Sequence, residues 1–182
     1  MRFEPDAQPV RTRRLELLVP SASFVDAVVA GRPDAAGREI GASVGRWLVT
    51  DPSHLVQLRL AGQAAADDGF PGLTRVIVLS GRRRRAIGSI GFHGPPDAAG
   101  RLEVACRIHP AHRGRGYGAE AMAALVDWAT ERFGITRFLL AVPSSREARL
   151  LVPIDVGSGR TDRPDQAIRA LADLLEGQPL RP

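Results

Sequence analysis

The stretch that decides the architecture begins Arg101-Leu-Glu-Val-Ala-Cys-Arg-Ile-His109. After Pro-Ala it continues His112-Arg-Gly-Arg-Gly-Tyr-Gly118 and Ala119-Glu-Ala-Met-Ala-Ala-Leu-Val-Asp-Trp-Ala129. Its first part alternates: Leu102, Val104, Cys106 and Ile108 share one face, and Glu103, Ala105, Arg107 and His109 the other, as in a strand with one buried side. The last part changes period. Ala119, Met122, Leu125, Val126, Ala129 and Phe133 recur at helical spacing, and Gly134 stands where a C-cap belongs. Between the two lies a glycine-rich turn that opens directly into the helix. Arg137 to Val142 then reads as another buried strand, so the unit is strand, glycine turn, helix, strand.

Upstream, Arg75–Leu79 and Ala86–Phe92 read as strands flanking Ser80-Gly-Arg-Arg-Arg-Arg85, a hairpin, and Gly94 to Gly100 has the composition of a turn. Residues 13–19 read as a first strand, preceded by a frayed lead-in over residues 1–10. Ser21 or Ser23 caps a helix running through Val28 and ended by Gly31 and Pro33. A second helix is expected over Ala35–Leu48, with Ile40, Val44, Trp47 and Leu48 on its apolar side, and a third over His54–Ala66. Downstream come Leu150 to Val156 and a helix from about Pro164 to Glu176. With no repeat and no linker, residues 1–182 are expected to form one domain.

The composition narrows the chemistry. A hydrophobic fraction of 44% and a mean hydropathy of −0.09 describe a globular chain. No apolar run approaches the roughly 18 residues of a membrane span. The polar N-terminal stretch has no hydrophobic signal core, so cytoplasmic residence is expected. All 25 Lys+Arg positions are Arg, which excludes Schiff-base lysines and the P-loop lysine. One cysteine, Cys106, makes neither an internal disulfide nor a cysteine-rich zinc site, and no metal is expected. The net charge of +5 suits anionic partners without choosing among them.

Amides at the start of a helix, behind glycines that let an anion approach closely, form a place for phosphate. Arg113 and Arg115 add charge-assisted hydrogen bonds there. A plain structural turn before a core helix is one reading. A dinucleotide fingerprint is a second, since Gly114-x-Gly116-x-x-Ala119 matches its form. That fingerprint wants an acidic residue about 20 positions on, where this chain has Leu140-Ala-Val-Pro-Ser.

Arg113-Gly-Arg-Gly-Tyr-Gly118 also resembles the pyrophosphate-binding R/Q-x-x-G-x-G/A element of the GNAT N-acetyltransferase superfamily. Its flanks, Ile87 to Phe92, Leu102 to Pro110 and Gly118 to Ala129, are similar to the branch that acetylates protein N-termini, ribosomal proteins among its targets. The resemblance spans roughly residues 12–143. It implies an α/β (α+β) fold with a mixed, mostly antiparallel central sheet flanked by helices. It implies acetyl-coenzyme A as cosubstrate and a primary amine, on a protein N-terminus or a small molecule, as acceptor. The amine would attack the thioester directly, with general-base assistance. Carried over residue by residue, it assigns the pyrophosphate to Arg113, Gly114, Arg115, Gly116, Gly118 and Ala119, and the pantetheine arm to the backbone of Ile108 and His109. Glu103 becomes the general base, with pairing to Arg101 or Arg107 as its plain alternative. Glu120 supports the turn.

The tail departs from that family. Where an Asn and then a Ser usually follow on a helix, this chain has Ser145, which the resemblance carries over as a coenzyme-binding residue, and Ala148. Pro153 ends any helix early, and the Tyr that many relatives use toward the departing thiolate is missing. Residues 144–182 therefore form an atypical C-terminal region, in which Leu150–Val156 could supply a strand. A binding-only acyl-coenzyme A module is one alternative function. A basic RNA- or ribosome-associated domain, resting on Arg82–Arg85, is a weaker one, and those arginines also read as a solvated turn, so nucleic acid is not the expected partner. A homodimer is compatible with the sequence, and nothing in it argues for one.

Overall fold

In the computed structural model, residues 8–51, 74–143 and 149–156 are described. Among the described residues, seven strands form one sheet in sequence order: β1 (Val10–Arg11), β2 (Leu15–Leu18), β3 (Arg75–Leu79), β4 (Arg85–Phe92), β5 (Arg101–Ile108), β6 (Arg137–Pro143) and β7 (Arg149–Asp155). Every neighbouring pair is antiparallel except β5 and β6, which run parallel. A parallel pair needs a long crossover, and the helix α4 (Tyr117–Phe133) supplies it. The mixed, mostly antiparallel sheet agrees with the expected fold class.

Each face of the sheet carries its own core. Leu15, Leu17, Ile77, Ile87, Ile90, Leu102, Val104, Phe138 and Leu140 meet Met122, Leu125, Val126 and Ala129 of α4. On the other face, Val76, Val78 and Ala86 pack against Phe24, Ala27, Val28, Ala36, Leu48 and Val49. Those residues come from α1 (Ala22–Val29), α2 (Pro33–Ile40) and α3 (Arg46–Thr50). The alternation along β3, Ile77 to one core and Val76 and Val78 to the other, is the period-2 rule at work. Arg75 is fully buried. Its guanidinium donates to Gln8 O at 2.8 Å and to Leu17 O at 3.3 Å and lies 4.5 Å from the centre of the Trp128 ring.

Two expectations need correction. The lead-in does not extend to residue 10: Val10 and Arg11 pair with Leu17 and Glu16, because Thr12 N donates to Leu15 O and turns the chain back. The helix expected over Ala35–Leu48 is two helices. Gly41 takes a left-handed φ of 58° and caps α2, a conformation that glycine adopts without a Cβ penalty. Ser43 then bridges to Arg85 before α3 begins. The Ile40, Val44, Trp47, Leu48 spacing hid that break. Other boundaries agree: the Ser21 hydroxyl accepts from Phe24 N and caps α1, and Gly134 caps α4 at φ 67°. In the tail, β7 is a strand antiparallel to β6. Its Pro153, opposite Leu139, sits on the last strand of the sheet, where a missing N–H is tolerated. The helices expected over His54–Ala66 and Pro164–Glu176, and Ser145, lie outside the described residues.

Candidate active site

The glycine turn is built as its sequence suggests. Gly114 and Gly116 have φ of 69° and 72°, and no atom lies within 4 Å of where a Gly114 Cβ would stand. Glu120 N donates to Gly116 O, the first bond of α4. The amides of Tyr117, Gly118 and Ala119 therefore point out of the helix end, at the positive pole of its dipole. Arg113 and Arg115 are exposed beside them. Gly118 lies over the end of β5, where an added Cβ would meet Ile108 Cγ1 at 3.6 Å and Cys106 Sγ at 4.0 Å.

The turn is held from outside by residues that local sequence reading missed. Glu120 accepts from Thr12 Oγ1 at 2.6 Å, from Arg14 N at 3.0 Å and from Arg14 Nε at 2.6 Å. Arg14 Nη1 also donates to Arg115 O at 3.0 Å, and its guanidinium stacks 4.6 Å from the Tyr117 ring centre. Burial pushes the Glu120 carboxyl up, but the hydrogen bonds from Thr12 and Arg14 and the Arg14 charge outweigh it and hold the group below its usual range. Glu120 is thus the support of the turn that its position suggested. Only its partners, far away in sequence, were invisible.

From the turn a gap leads back along β5. The parallel pairing with β6 ends at Ala105–Ala141, yet β5 continues to Ile108 and β6 to Pro143. Beyond Ala105 the two strands part. His109 N donates to Ile87 O at 2.8 Å, which makes Gly88–Ile108 a non-hydrogen-bonded pair of the antiparallel ladder. The peptide groups of Ile108 accordingly face away from β4, into the gap, where Arg113 Nε reaches Ile108 O at 2.9 Å. The His109 amide is already used within the sheet. Its imidazole Nδ1 accepts from Ala111 N, and its ring meets Trp47 edge-on at 4.7 Å.

Glu103 stands two residues before the strands part, on the β5 face opposite α4. Its carboxylate lies 4.0 Å from His93 Nδ1. The alternative partners are engaged elsewhere, Arg101 with Asp97 at 2.8 Å and Arg107 with Asp51 at 3.7 Å. His93, just past β4, escaped the sequence reading, since no local pattern places it beside Glu103. His112 is half-buried and its Nδ1 has no partner among the described residues. Burial lowers its pKa, and the charges of His109, Arg115 and Arg85 push the same way, so it is neutral near pH 7. Cys106 is half-buried as a residue, but its thiol is enclosed, and burial pushes it to about 12. It is a neutral packing group. Tyr117, the one tyrosine, is held under Arg14 at the turn.

Comparison with known proteins agrees with the fold. Residues 27–149 match the model of the acetyltransferase (GNAT) domain. The chain belongs to the GNAT acetyltransferase family. Over 71 residues it is 31% identical to the uncharacterized N-acetyltransferase YjdG of Bacillus subtilis (strain 168), a match covering 39% of this chain and 42% of that protein, less than half of the relative's length. Among solved structures, a candidate ribosomal-protein-serine acetyltransferase from Vibrio cholerae superposes with a TM-score of 0.54 at 12% identity, over 91% of this chain and 82% of that one. The acetyltransferase from Agrobacterium tumefaciens strain C58 gives 0.51 at 23% identity, over 100% and 91%. At these identities the superpositions speak for the fold. Among the described residues, no helix is long and apolar enough to cross a membrane.

Proposed function

We propose that this GNAT chain transfers an acetyl group from acetyl-coenzyme A to a primary amine, on a protein N-terminus or a small molecule. The observation that carries the reading is the gap between β5 and β6 running up to the glycine turn. It joins a phosphate cradle to an unpaired strand edge, and an extended coenzyme needs both. The residues fit such a guest: the space beside Gly114 is open, and the helix-end amides are flanked by two exposed arginines, Arg113 and Arg115. Bound there, the coenzyme supplies the activated acyl group. The turn amides with Arg113 and Arg115 hold its pyrophosphate. The Ile108 N–H, turned into the gap, pairs with a carbonyl of its arm, while the Ile108 carbonyl is held by Arg113.

Glu103, near the point of the gap, takes the proton from the attacking amine, directly or through one water. His93 stands beside that carboxylate and orients it. The enclosed Cys106 thiol takes no part as a nucleophile, which agrees with direct attack by the amine. Metal ligation has no role in the proposal.

Thermal unfolding with acetyl-coenzyme A tests this first. A hundredfold excess over Kd should add about 2.7 kcal/mol, roughly 5–10 °C for a chain of this size. Gly116→Glu places a side chain in a left-handed position and a negative charge at the cradle, so it should abolish the shift. No rise in the wild type at saturating ligand would sink the proposal. A rise without turnover on any amine would favour a binding-only module.

A further inference from the structure

The hairpin arginines do not act alike. Arg84 is part of the scaffold: it pairs with Glu16 at 2.5 Å and donates to Ile40 O and Gly41 O at 3.2 and 3.1 Å. This pins the hairpin to the end of α2. Arg82, Arg83 and Arg85 are exposed, and among the described residues they make no ion pair. Besides the Arg84 already paired with Glu16, they line an open groove of about 630 Å³ together with Arg38 of α2, the Gly41–Val44 stretch and a single acid, Asp34. Four guanidinium groups around one acid repel each other, and an anionic guest would relieve that repulsion.

The lining decides which guest. It contains no aromatic ring, so it offers no stacking platform for nucleobases. The groove has room for a few residues of extended chain. Guanidinium forks match carboxylates bidentately. The groove is also close to the glycine turn, at the mouth of the gap. Arg85 is near enough to the turn to depress the His112 pKa, and beyond Val44 the chain enters α3, whose Trp47 touches His109.

We infer that the groove between α2 and the β3–β4 hairpin docks an acidic segment of the protein that carries the acceptor amine. This rests on the transferase reading and gives its acceptor a chemical class. Arg38, Arg82, Arg83 and Arg85 hold the carboxylates, and the free amine reaches the gap past Trp47.

The test uses fluorescent peptides with a free α-amine, followed either by a run of Asp and Glu or by the same run as Asn and Gln. Anisotropy is measured without coenzyme. The acidic peptide should bind at least about tenfold tighter, the preference fading at high salt. Arg82→Glu with Arg83→Glu should erase it, and so should Arg38→Glu on the opposite wall, a second variant in case the first folds poorly. In both, the acetyl-coenzyme A thermal shift should stay at the wild-type value. Equal binding of the two peptides would overturn the inference. So would an RNA oligonucleotide that displaces the acidic peptide and is lost in the same variants. A variant that loses the shift with acetyl-coenzyme A but keeps it with the 3′-dephospho form would reassign the groove to the coenzyme and overturn the inference too. Peptide preference without any coenzyme shift would leave the groove standing and remove the transferase reading instead.

Discussion

The two faces of β5 are made from alternate residues of one short strand, yet they differ in kind. Leu102, Val104 and Ile108 are buried under α4, and Gly118 brings the helix close enough to touch Ile108 and Cys106. On the opposite face, Glu103 meets His93, Arg107 meets Asp51 and His109 meets Trp47. The first face is held by area and shape, and a periodic sequence is enough to specify it. The second is a row of single polar or ring contacts, each to a different element. Such contacts contribute little stability one by one. The strand thus carries packing on one side and, in the proposed function, reactivity on the other.

Substitutions on the two faces should separate these roles. Glu103→Gln carries the largest expected effect: turnover should fall about 10²–10⁴-fold, with the melting temperature and the acetyl-coenzyme A shift nearly unchanged. Steady-state rates beside a thermal scan would show it, and an unaffected rate would remove Glu103 from the mechanism. Leu125→Ala, in the core beneath α4, should cost about 2–5 kcal/mol, read from urea unfolding. A loss of turnover larger than the unfolded fraction explains would blur the division.

Glu120→Gln should act less, by about 1–2 kcal/mol, and with a distinctive pH signature. The folded carboxyl titrates below its ordinary 4.5. Below that value the unfolded chain binds the proton first, so stability rises with pH through this window. The wild type should therefore hold its contribution above pH 4.5 and lose it as acid titrates the folded group. The variant should lack that part of the slope. Its acetyl-coenzyme A affinity should fall as well, since the same carboxylate holds Arg14 and, through it, the Arg115 carbonyl. Parallel slopes in both proteins would show that Glu120 is not the group responsible.

What sequence revealed follows the same divide. Alternation along β5, the helical period of α4 and the Gly134 cap are local patterns, and local patterns survive in a bare string of residues. The hairpin over β3 and β4 was legible for the same reason. The break between α2 and α3 was not: Gly41 sits inside a run of correctly spaced apolar residues, and only its left-handed φ shows that the helix stops there. Arg14, Thr12 and His93 went unread because each acts on a partner brought near by the sheet. Glu103 was singled out because the family resemblance marks a Glu on the strand leading to the glycine turn, whereas nothing in the sequence marked its neighbour His93.

The buckle of Thr12 and Arg14 on Glu120 bears on how the chain acquires its shape. Strands β3, β4 and β5 form successive hairpins, and α4 with β6 follows directly, so this block closes through short loops that form early at small entropic cost. The pairing of β2 with β3 spans a much longer stretch of chain and should come later. Until it forms, Arg14 is absent from the glycine turn, and the Arg115 carbonyl and Tyr117 ring have no clamp. A folding intermediate would then own a core and a sheet but no finished cradle. On the proposed function, recognition of the coenzyme would become the last property this protein gains on folding and the first it loses on unfolding.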